Sequence, residues 1–288
     1  MYFKGSGSLG LMLSFRSMSL RVGVVSYLNT APLLFSLRQT AEARGWSIIE
    51  DHPANLNRRL AAGELDLALV SSLEYAENAP QYLLLPDVSI SATGRVGSVI
   101  LFSSSPLNTL TGKTVVLTRA SATSVALLKL LLEDFYGQRP VYQSGTLKDA
   151  HQAAAYLAIG DEALRLRHHP PFAEAHDLAA LWMERTHLPF VFAVFAVREE
   201  AWQRDPWTIK EFAKELYLSR ARGLASLSSL ANQCQEISGL SAGECLLYLK
   251  GIEYDLSGLK QEALLVFFRH LARRGEISAS PPLRFLKI

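Results

Sequence analysis

The sequence has few of the features that mark a specialised class of protein. Charged residues make up only 19% of its 288 residues, and 29 Lys and Arg are balanced by 27 Asp and Glu. This balance, without a long run of basic residues, argues against a surface for nucleic acid or for a membrane. The two cysteines, Cys234 and Cys245, form no CxxC motif, so we expect two reduced thiols and no zinc site.

Motifs of the common cofactor and metal enzymes are also missing. The sequence has no GxGxxG after its first strand, no GxxxxGK[ST], no HExxH and no GxSxG. Binding of nucleotide phosphates, zinc proteolysis and serine hydrolysis therefore lack their usual signatures. His168 and His169 precede two prolines, which indicates an exposed loop. We predict neither a metal nor a cofactor.

Residues 1–18 are predicted to be a disordered extension, with Met18 as an alternative start. Their apolar stretch, residues 9–15, is far shorter than the ~20 residues of a membrane helix. No A-x-A cleavage site follows it, so the segment does not resemble a secretion signal. We therefore expect a cytoplasmic protein.

Hydrophobic residues, 49% of the chain, follow an alternating strand and helix pattern. In the first part, the pattern predicts strands at 20–25, 46–50 and 65–70, and helices at 32–44 and 53–62. The near-continuous apolar run at 65–70 is typical of a parallel strand that is covered on both faces. This order indicates a doubly wound α/β layer structure.

The second part repeats this rhythm and then becomes helical. Strands are predicted at 113–118, 155–159 and 191–197, and a helix at 123–136. Further helices begin near Asp205 and Ser257. We predict two lobes, with residues 19–100 and 198–288 in lobe 1 and residues 101–197 in lobe 2. Two chain crossings would then place a ligand cleft between the lobes.

Several short polar segments end apolar strands, where α/β folds place groups that bind ligands. Each segment also has a purely structural interpretation, as a turn or a helix cap. The candidate residues are Ser26, Tyr27, Asn29, Thr30, Ser71, Ser72, Gly97, Ser98, Ser121, Thr123, Ser124 and Asp161.

Among these segments, residues 118–124 combine hydroxyl groups with the predicted start of a helix. Unpaired backbone N–H groups and the helix dipole favour an anion there, by roughly 0.3–1 kcal/mol for each contact. A cleft lined by hydroxyls, amides and backbone N–H groups suits a small carboxylate ligand. The residues alone indicate no particular reaction.

Seven sequence strings, taken in order, resemble the chorismate dehydratase family of menaquinone biosynthesis. They are SYLNTAPL (26–33), GELDLALVSS (63–72), PDVSIS (86–91), GRVGSV (94–99), LTRASATS (117–124), IGD (159–161) and LPFVFAV (188–194). The resemblance is strong over residues 20–197 and looser in the C-terminal helices. It implies a two-lobed fold like that of the type 2 periplasmic binding proteins, with a doubly wound sheet flanked by helices in each lobe and the ligand cleft between the lobes.

The family removes water from chorismate to give 3-[(1-carboxyvinyl)oxy]benzoate, the first committed step of the futalosine route to menaquinone. The resemblance implies a cofactor-free lyase in which the enolpyruvyl carboxylate of chorismate takes the C3 proton while the 4-hydroxyl departs. Asn29 and Ser98 match the family's active-site residues. We expect Asn29 to orient the side chain or the leaving hydroxyl, and Ser98 to bind a carboxylate. The cluster of Ser121, Thr123 and Ser124 would bind the other carboxylate.

The sequence departs from the family pattern at His187, Phe195 and Ala92, where Gly, Trp and Ser are common. These positions are expected at cleft walls or beside them. Two other functions remain open, namely a solute-binding protein for a small carboxylate and the sister enzyme that releases dihydroxynaphthoate. The expected partner is the substrate alone, with no nucleic acid or membrane, and the protein is expected to be a monomer or homodimer.

Overall fold

The computed structural model describes residues 19–288, except for the side chains of residues 236–238. The predicted extension, residues 1–18, lies outside the described residues. Two five-stranded sheets form the framework. In spatial order, sheet 1 consists of β2 (Ser47–Asp51), β1 (Arg21–Val25), β3 (Leu67–Ser71), β10 (Phe190–Arg198) and β4 (Tyr82–Ala92).

Sheet 2 is built in the same way from the middle of the chain. In spatial order, it consists of β7 (Val141–Ser144), β6 (Thr114–Leu117), β8 (Ala155–Ile159), β5 (Val99–Ser103) and β9 (Glu174–Asp177). Both sheets are mixed. In sheet 1, β1 runs parallel to β2 and β3 while β10 is antiparallel to β3 and β4. In sheet 2, β6 runs parallel to β7 and β8 while β5 is antiparallel to β8 and β9.

The central strands are buried along their whole length because helices cover both faces of each sheet. Every residue of β3 and of β8 is buried, as their near-continuous apolar runs predict. At the edge of sheet 2, β7 is mostly exposed. The predicted α/β class is thus confirmed.

Twelve α-helices connect or cover the strands in the described part of the chain. They are α1 (Ala31–Leu34), α2 (Leu37–Arg44), α3 (Pro53–Ala61), α4 (Ser72–Asn78), α5 (Ala122–Leu130), α6 (Gly160–Leu166), α7 (Leu178–Thr186), α8 (Glu199–Arg204), α9 (Pro206–Ala225), α10 (Leu227–Ser238), α11 (Ala242–Gly251) and α12 (Gly258–Arg273). A π-helical segment, Leu131–Phe135, continues α5. Of the helices within residues 19–288, none is long and apolar enough to cross a bilayer.

The helix predicted at 32–44 is wrong in one respect, because it is split into α1 and α2. The break lies at Phe35 and Ser36. There the Ser219 hydroxyl, from α9, accepts hydrogen bonds from the backbone N–H groups of Ser36 (3.0 Å) and Leu37 (3.1 Å). A side chain distant in sequence thus replaces the intrahelical partners that these groups lose at the break.

The strands of sheet 2 lie within residues 99–177. The predicted return near residue 197 does not match sheet membership. Strand β10, assigned above to lobe 2, pairs with β3 and β4 in sheet 1. The chain therefore returns to sheet 1 through α7, ahead of β10. The apolar pattern of β10 predicts a strand but does not show which sheet that strand joins.

The three departures from the family pattern lie away from open cleft surface. Phe195 and Ala92 are fully buried, and the Phe195 ring packs on Phe212 at a centroid distance of 6.1 Å. His187 is exposed and ends α7 in the left-handed conformation, with φ of 58°. Glycine adopts this conformation without a steric cost, which explains physically why glycine is common at that position.

Candidate active site between the two sheets

A narrow cavity lies between the sheets, at the ends of β1, β3 and β8 and the start of β5. Its volume is about 70 Å³. Seven of the predicted site residues line it: Tyr27, Asn29, Thr30, Ser71, Ser98, Ser121 and Ser124. None of the described residues around this cavity carries a full charge. Polar contacts to a ligand must therefore come from hydroxyls, the Asn29 amide and backbone groups.

The loop that carries Asn29 is held in place by hydrogen bonds on both sides. The Thr30 hydroxyl donates to the carbonyl oxygens of Val25 (2.9 Å) and Tyr27 (2.7 Å), which closes the turn after β1. The Tyr254 hydroxyl donates to the Asn29 carbonyl at 2.9 Å. The Asn29 backbone is thus fixed while its half-buried side chain faces the cavity.

Ser98 lies on the first crossing between the sheets, directly before β5. The crossing bends at Gly97, whose φ of 77° belongs to the left-handed region that favours glycine. The Asp177 carboxylate accepts hydrogen bonds from the backbone N–H groups of Gly97 (2.6 Å) and Val96 (3.2 Å). The same carboxylate caps α7, which begins the second crossing. Asp177 thus ties the two crossings together and fixes the position of Ser98.

Tyr248, on α11, is a further residue at the site that the sequence pattern does not reveal. Its hydroxyl donates to the Ser98 Oγ at 3.0 Å, and the Asn29 side chain also interacts with it. Burial raises the pKa of Tyr248, so the phenol is protonated at neutral pH. Tyr248 lies in the C-terminal helices, where the family resemblance is loose, and no local motif distinguishes it.

The start of α5 contains two hydroxyls that reach the cavity and one that does not. The Ser121 Oγ accepts a hydrogen bond from the Ser124 N–H at 3.2 Å, and the two hydroxyls lie 3.0 Å apart. Thr123 points elsewhere, and its Oγ1 accepts a hydrogen bond from the Leu73 N–H of α4 at 2.9 Å. Thr123 thus caps a helix that follows sheet 1, which differs from the predicted contact with a carboxylate.

Ser71 and Ser72 have different positions at the end of β3. The Ser71 Oγ lines the cavity and also caps α4 by accepting from the Glu74 N–H at 3.3 Å, as the helix-cap interpretation of this segment predicts. The Ser72 hydroxyl is fully buried and donates to the Val191 carbonyl at 2.6 Å. It therefore joins α4 to β10 and is not at the cavity surface.

Three further predicted residues line neighbouring cavities. Gly97 borders one of 420 Å³. Ser26, which is exposed, and Asp161 border another of 740 Å³. The Asp161 carboxylate accepts from the Leu28 N–H at 3.2 Å, and burial raises its pKa. Asp161 thus connects α6 to the loop after β1.

Tyr27 closes one side of the cavity. Its ring lies on Gly160, where an added Cβ would come within 3.2 Å of the ring carbons. Burial, with the negative charge of Asp161 nearby, raises the pKa of Tyr27 to about 12. Its hydroxyl is therefore neutral at physiological pH. Within residues 19–288, no group of three or more His, Cys, Asp or Glu side chains is placed to hold a metal ion.

Solved structures similar to this chain share its fold at low sequence identity. A protein of Archaeoglobus fulgidus superimposes with a TM-score of 0.73 at 18% identity, covering 91% of this chain and 100% of that one. A Candida albicans protein, described as having the generic periplasmic binding protein fold, superimposes with a TM-score of 0.69 at 14% identity, covering 94% of this chain and 98% of that one. These likenesses confirm the predicted fold alone.

Sequence relatives are more specific. A chorismate dehydratase of Thermus thermophilus is 40% identical over 254 residues, covering 82% of this chain and 89% of that protein. A chorismate dehydratase of Campylobacter jejuni is 32% identical over 197 residues, covering 67% of this chain and 73% of that protein. The model of a family described as menaquinone biosynthesis matches residues 20–273. The chain therefore belongs to the menaquinone biosynthesis family.

Proposed function

We propose that this protein is a chorismate dehydratase, a hydro-lyase that converts chorismate into 3-[(1-carboxyvinyl)oxy]benzoate in the cytoplasm. The observation that carries the proposal is the convergence of Asn29 and Ser98, from separate loops, on one cavity between the two sheets. The 40% identity to the Thermus thermophilus chorismate dehydratase supports the same reaction.

The composition of the cavity suits a substrate that supplies its own base. The reaction removes a proton from C3 and the hydroxyl from C4, so one water leaves and no oxidant or reductant is needed. None of the described residues that line the cavity is an Asp, Glu or His that could take the proton. We therefore assign that step to the enolpyruvyl carboxylate of chorismate, and the gain of an aromatic ring drives the elimination.

The protein then contributes orientation and hydrogen bonding. In this proposal, the Asn29 amide orients the enolpyruvyl group or the departing hydroxyl, and the Ser98 hydroxyl bonds to a carboxylate. Ser121 and Ser124, at the start of α5, bond to the second carboxylate, where the helix dipole favours negative charge. Thr123 is left out of this group because, unlike Ser121 and Ser124, it does not line the cavity.

Because the cavity is small, we infer that the lobes separate to admit the substrate. Its 70 Å³ is well below the ~300 Å³ at the lower end of typical small-molecule sites. Direct contacts between the two sides, such as the Asp161 carboxylate after β8 with the Leu28 N–H after β1, hold them together. Opening and reclosure would admit chorismate and then exclude water from the elimination.

The test is incubation of the purified protein with chorismate, without metal or nucleotide, followed by liquid chromatography and mass spectrometry. We expect loss of one water and appearance of the enolpyruvyl benzoate. Asn29→Ala and Ser98→Ala should each lower kcat by about 10²–10³-fold, the range found when a single oriented donor is removed. The matched controls Asn108→Ala and Ser104→Ala change exposed residues of sheet 2 and its connections and should keep parental turnover.

Two outcomes would contradict the proposal. Full turnover by Asn29→Ala at saturating chorismate would remove Asn29 from the reaction. Stabilisation of the fold by chorismate without any product would instead favour a solute-binding protein.

A further inference from the structure

Tyr248 occupies a position that the proposed reaction does not yet use. Its hydroxyl lies 3.0 Å from the Ser98 Oγ, and the side chain is only 7% exposed. It belongs to α11, whereas Ser98 lies on the crossing between the sheets and Asn29 on the loop after β1. One phenol therefore contacts both residues proposed for the reaction, from an element that belongs to neither loop.

The direction of the hydrogen bond between Tyr248 and Ser98 determines what Ser98 can do. The phenol O–H donates and the Ser98 Oγ accepts. Among the described residues, Tyr248 is the one side-chain partner of the Ser98 hydroxyl, so the Ser98 proton is not used within the protein. A serine hydroxyl that accepts one hydrogen bond can still donate one. Ser98 is therefore oriented to donate into the cavity, which it also lines.

Tyr248 remains the donor in this hydrogen bond at neutral pH. Burial raises the pKa of Tyr248, so the phenol keeps the proton that it donates. Asn29 interacts with the same phenol oxygen, and the Tyr254 hydroxyl donates to the Asn29 carbonyl at 2.9 Å. Two tyrosines from the C-terminal part of the chain thus hold the two proposed reaction residues beside each other.

We propose that Tyr248 is a positioning residue that fixes the Ser98 hydroxyl as a donor toward the bound substrate. The inference rests on the proposed function, because it assigns a task within that elimination. In the proposed elimination, the Ser98 hydroxyl bonds to a carboxylate of the substrate, and a donor already oriented toward that carboxylate needs no reorganisation during the reaction. Without the phenol, the Ser98 hydroxyl could rotate among its staggered positions and the donor would be oriented only part of the time.

The experiment uses Tyr248→Phe, which removes one hydroxyl and keeps the ring that fills the space. We expect kcat for chorismate to fall about 10- to 100-fold with KM nearly unchanged, because orientation for the reaction is lost while the groups that bind the substrate remain. Tyr217→Phe is the matched control, since its hydroxyl donates to the Pro86 carbonyl at 2.7 Å, outside the cavity. It should keep parental kcat. Circular dichroism gives the folded fraction of each variant, and each kcat is divided by that fraction.

A double-mutant cycle separates positioning from a general structural effect. If Tyr248 acts through Ser98, Tyr248→Phe should cost nothing further in a Ser98→Ala background, because the hydroxyl it orients is already gone. A variant that merely loosened the fold would lower kcat in both backgrounds.

The outcomes also distinguish this inference from the function on which it rests. Parental protein that makes product, together with undiminished kcat in Tyr248→Phe or additive losses in the cycle, would overturn the positioning role and leave the dehydratase intact. Parental protein that makes no product would overturn both.

Discussion

The hydrogen bond between Thr123 and Leu73 leads to a quantitative prediction about the closed cavity. Thr123 is 1% exposed and Leu73 is 7% exposed, and the Leu73 N–H is one of the first N–H groups of α4, which have no partner inside the helix. Thr123→Val keeps the shape of the side chain but removes the acceptor. A buried N–H left without a partner costs about 1–3 kcal/mol, and we expect the free energy of unfolding to fall by this amount.

The protein can avoid part of this penalty by opening. Thr123 is on α5, which follows β6 of sheet 2, and Leu73 is on α4, which follows β3 of sheet 1. Separation of the sheets would expose the Leu73 N–H to water. A bias of 1–3 kcal/mol changes such an equilibrium by about 5- to 150-fold. Thr123→Val should therefore increase the radius of gyration in X-ray scattering and raise KM for chorismate.

Thr186→Val provides the matched control for this prediction. The Thr186 Oγ1 accepts from the Leu188 N–H at 3.2 Å, a contact within one short segment. Its loss should lower stability in urea without changing the radius of gyration. The reasoning would be refuted by a Thr123→Val protein whose unfolding free energy stays within about 0.5 kcal/mol of the parent, the spread of ordinary surface substitutions.

Two further predictions concern single residues near the crossings. Burial raises the pKa of the Asp161 carboxyl in the folded protein. Above that pKa the charged carboxylate lowers the free energy of unfolding, and this loss disappears as the pH falls toward the pKa of the unfolded chain, about 3.9. Asp161→Asn keeps an oxygen acceptor for the Leu28 N–H and should raise the urea midpoint at pH 7, with the gain vanishing in acid; a lower midpoint at pH 7 would contradict this. His187→Gly should stabilise by about 1 kcal/mol, because glycine adopts the φ of 58° without the strain of a Cβ. His187→Ala retains the Cβ and should show no such gain in urea unfolding, and equal effects of the two changes would exclude the backbone explanation.

Much of the fold could be predicted from local pattern. The apolar run of β3 predicts a buried strand because both faces of such a strand are covered, and a run of this kind is visible within five or six residues. The polar segments that end such strands were therefore found as well. Seven of the predicted site residues line one cavity.

Other features depend on which distant segments meet. The apolar run of β10 predicts a strand as clearly as that of β8 does. Its pairing with β3 and β4 depends on long-range contacts, so the sequence pattern assigns β10 to the other lobe. The hydroxyl of Thr123 looked equivalent to those of its neighbours. Only the position of α4 shows that the Thr123 oxygen accepts a hydrogen bond from the Leu73 N–H.

Local patterns in the sequence predict the α/β class, the buried strands and the polar loops at their ends, and seven ordered strings indicate the family. Each of these follows from residues close together in the chain, where periodicity and turn chemistry operate. The tertiary structure alone decided that Tyr248 meets Ser98 across 150 residues and that Asp177 ties together the two crossings. A hydrogen bond forms wherever folding brings a donor and an acceptor within about 3 Å, and nothing in the local sequence of either partner specifies the other.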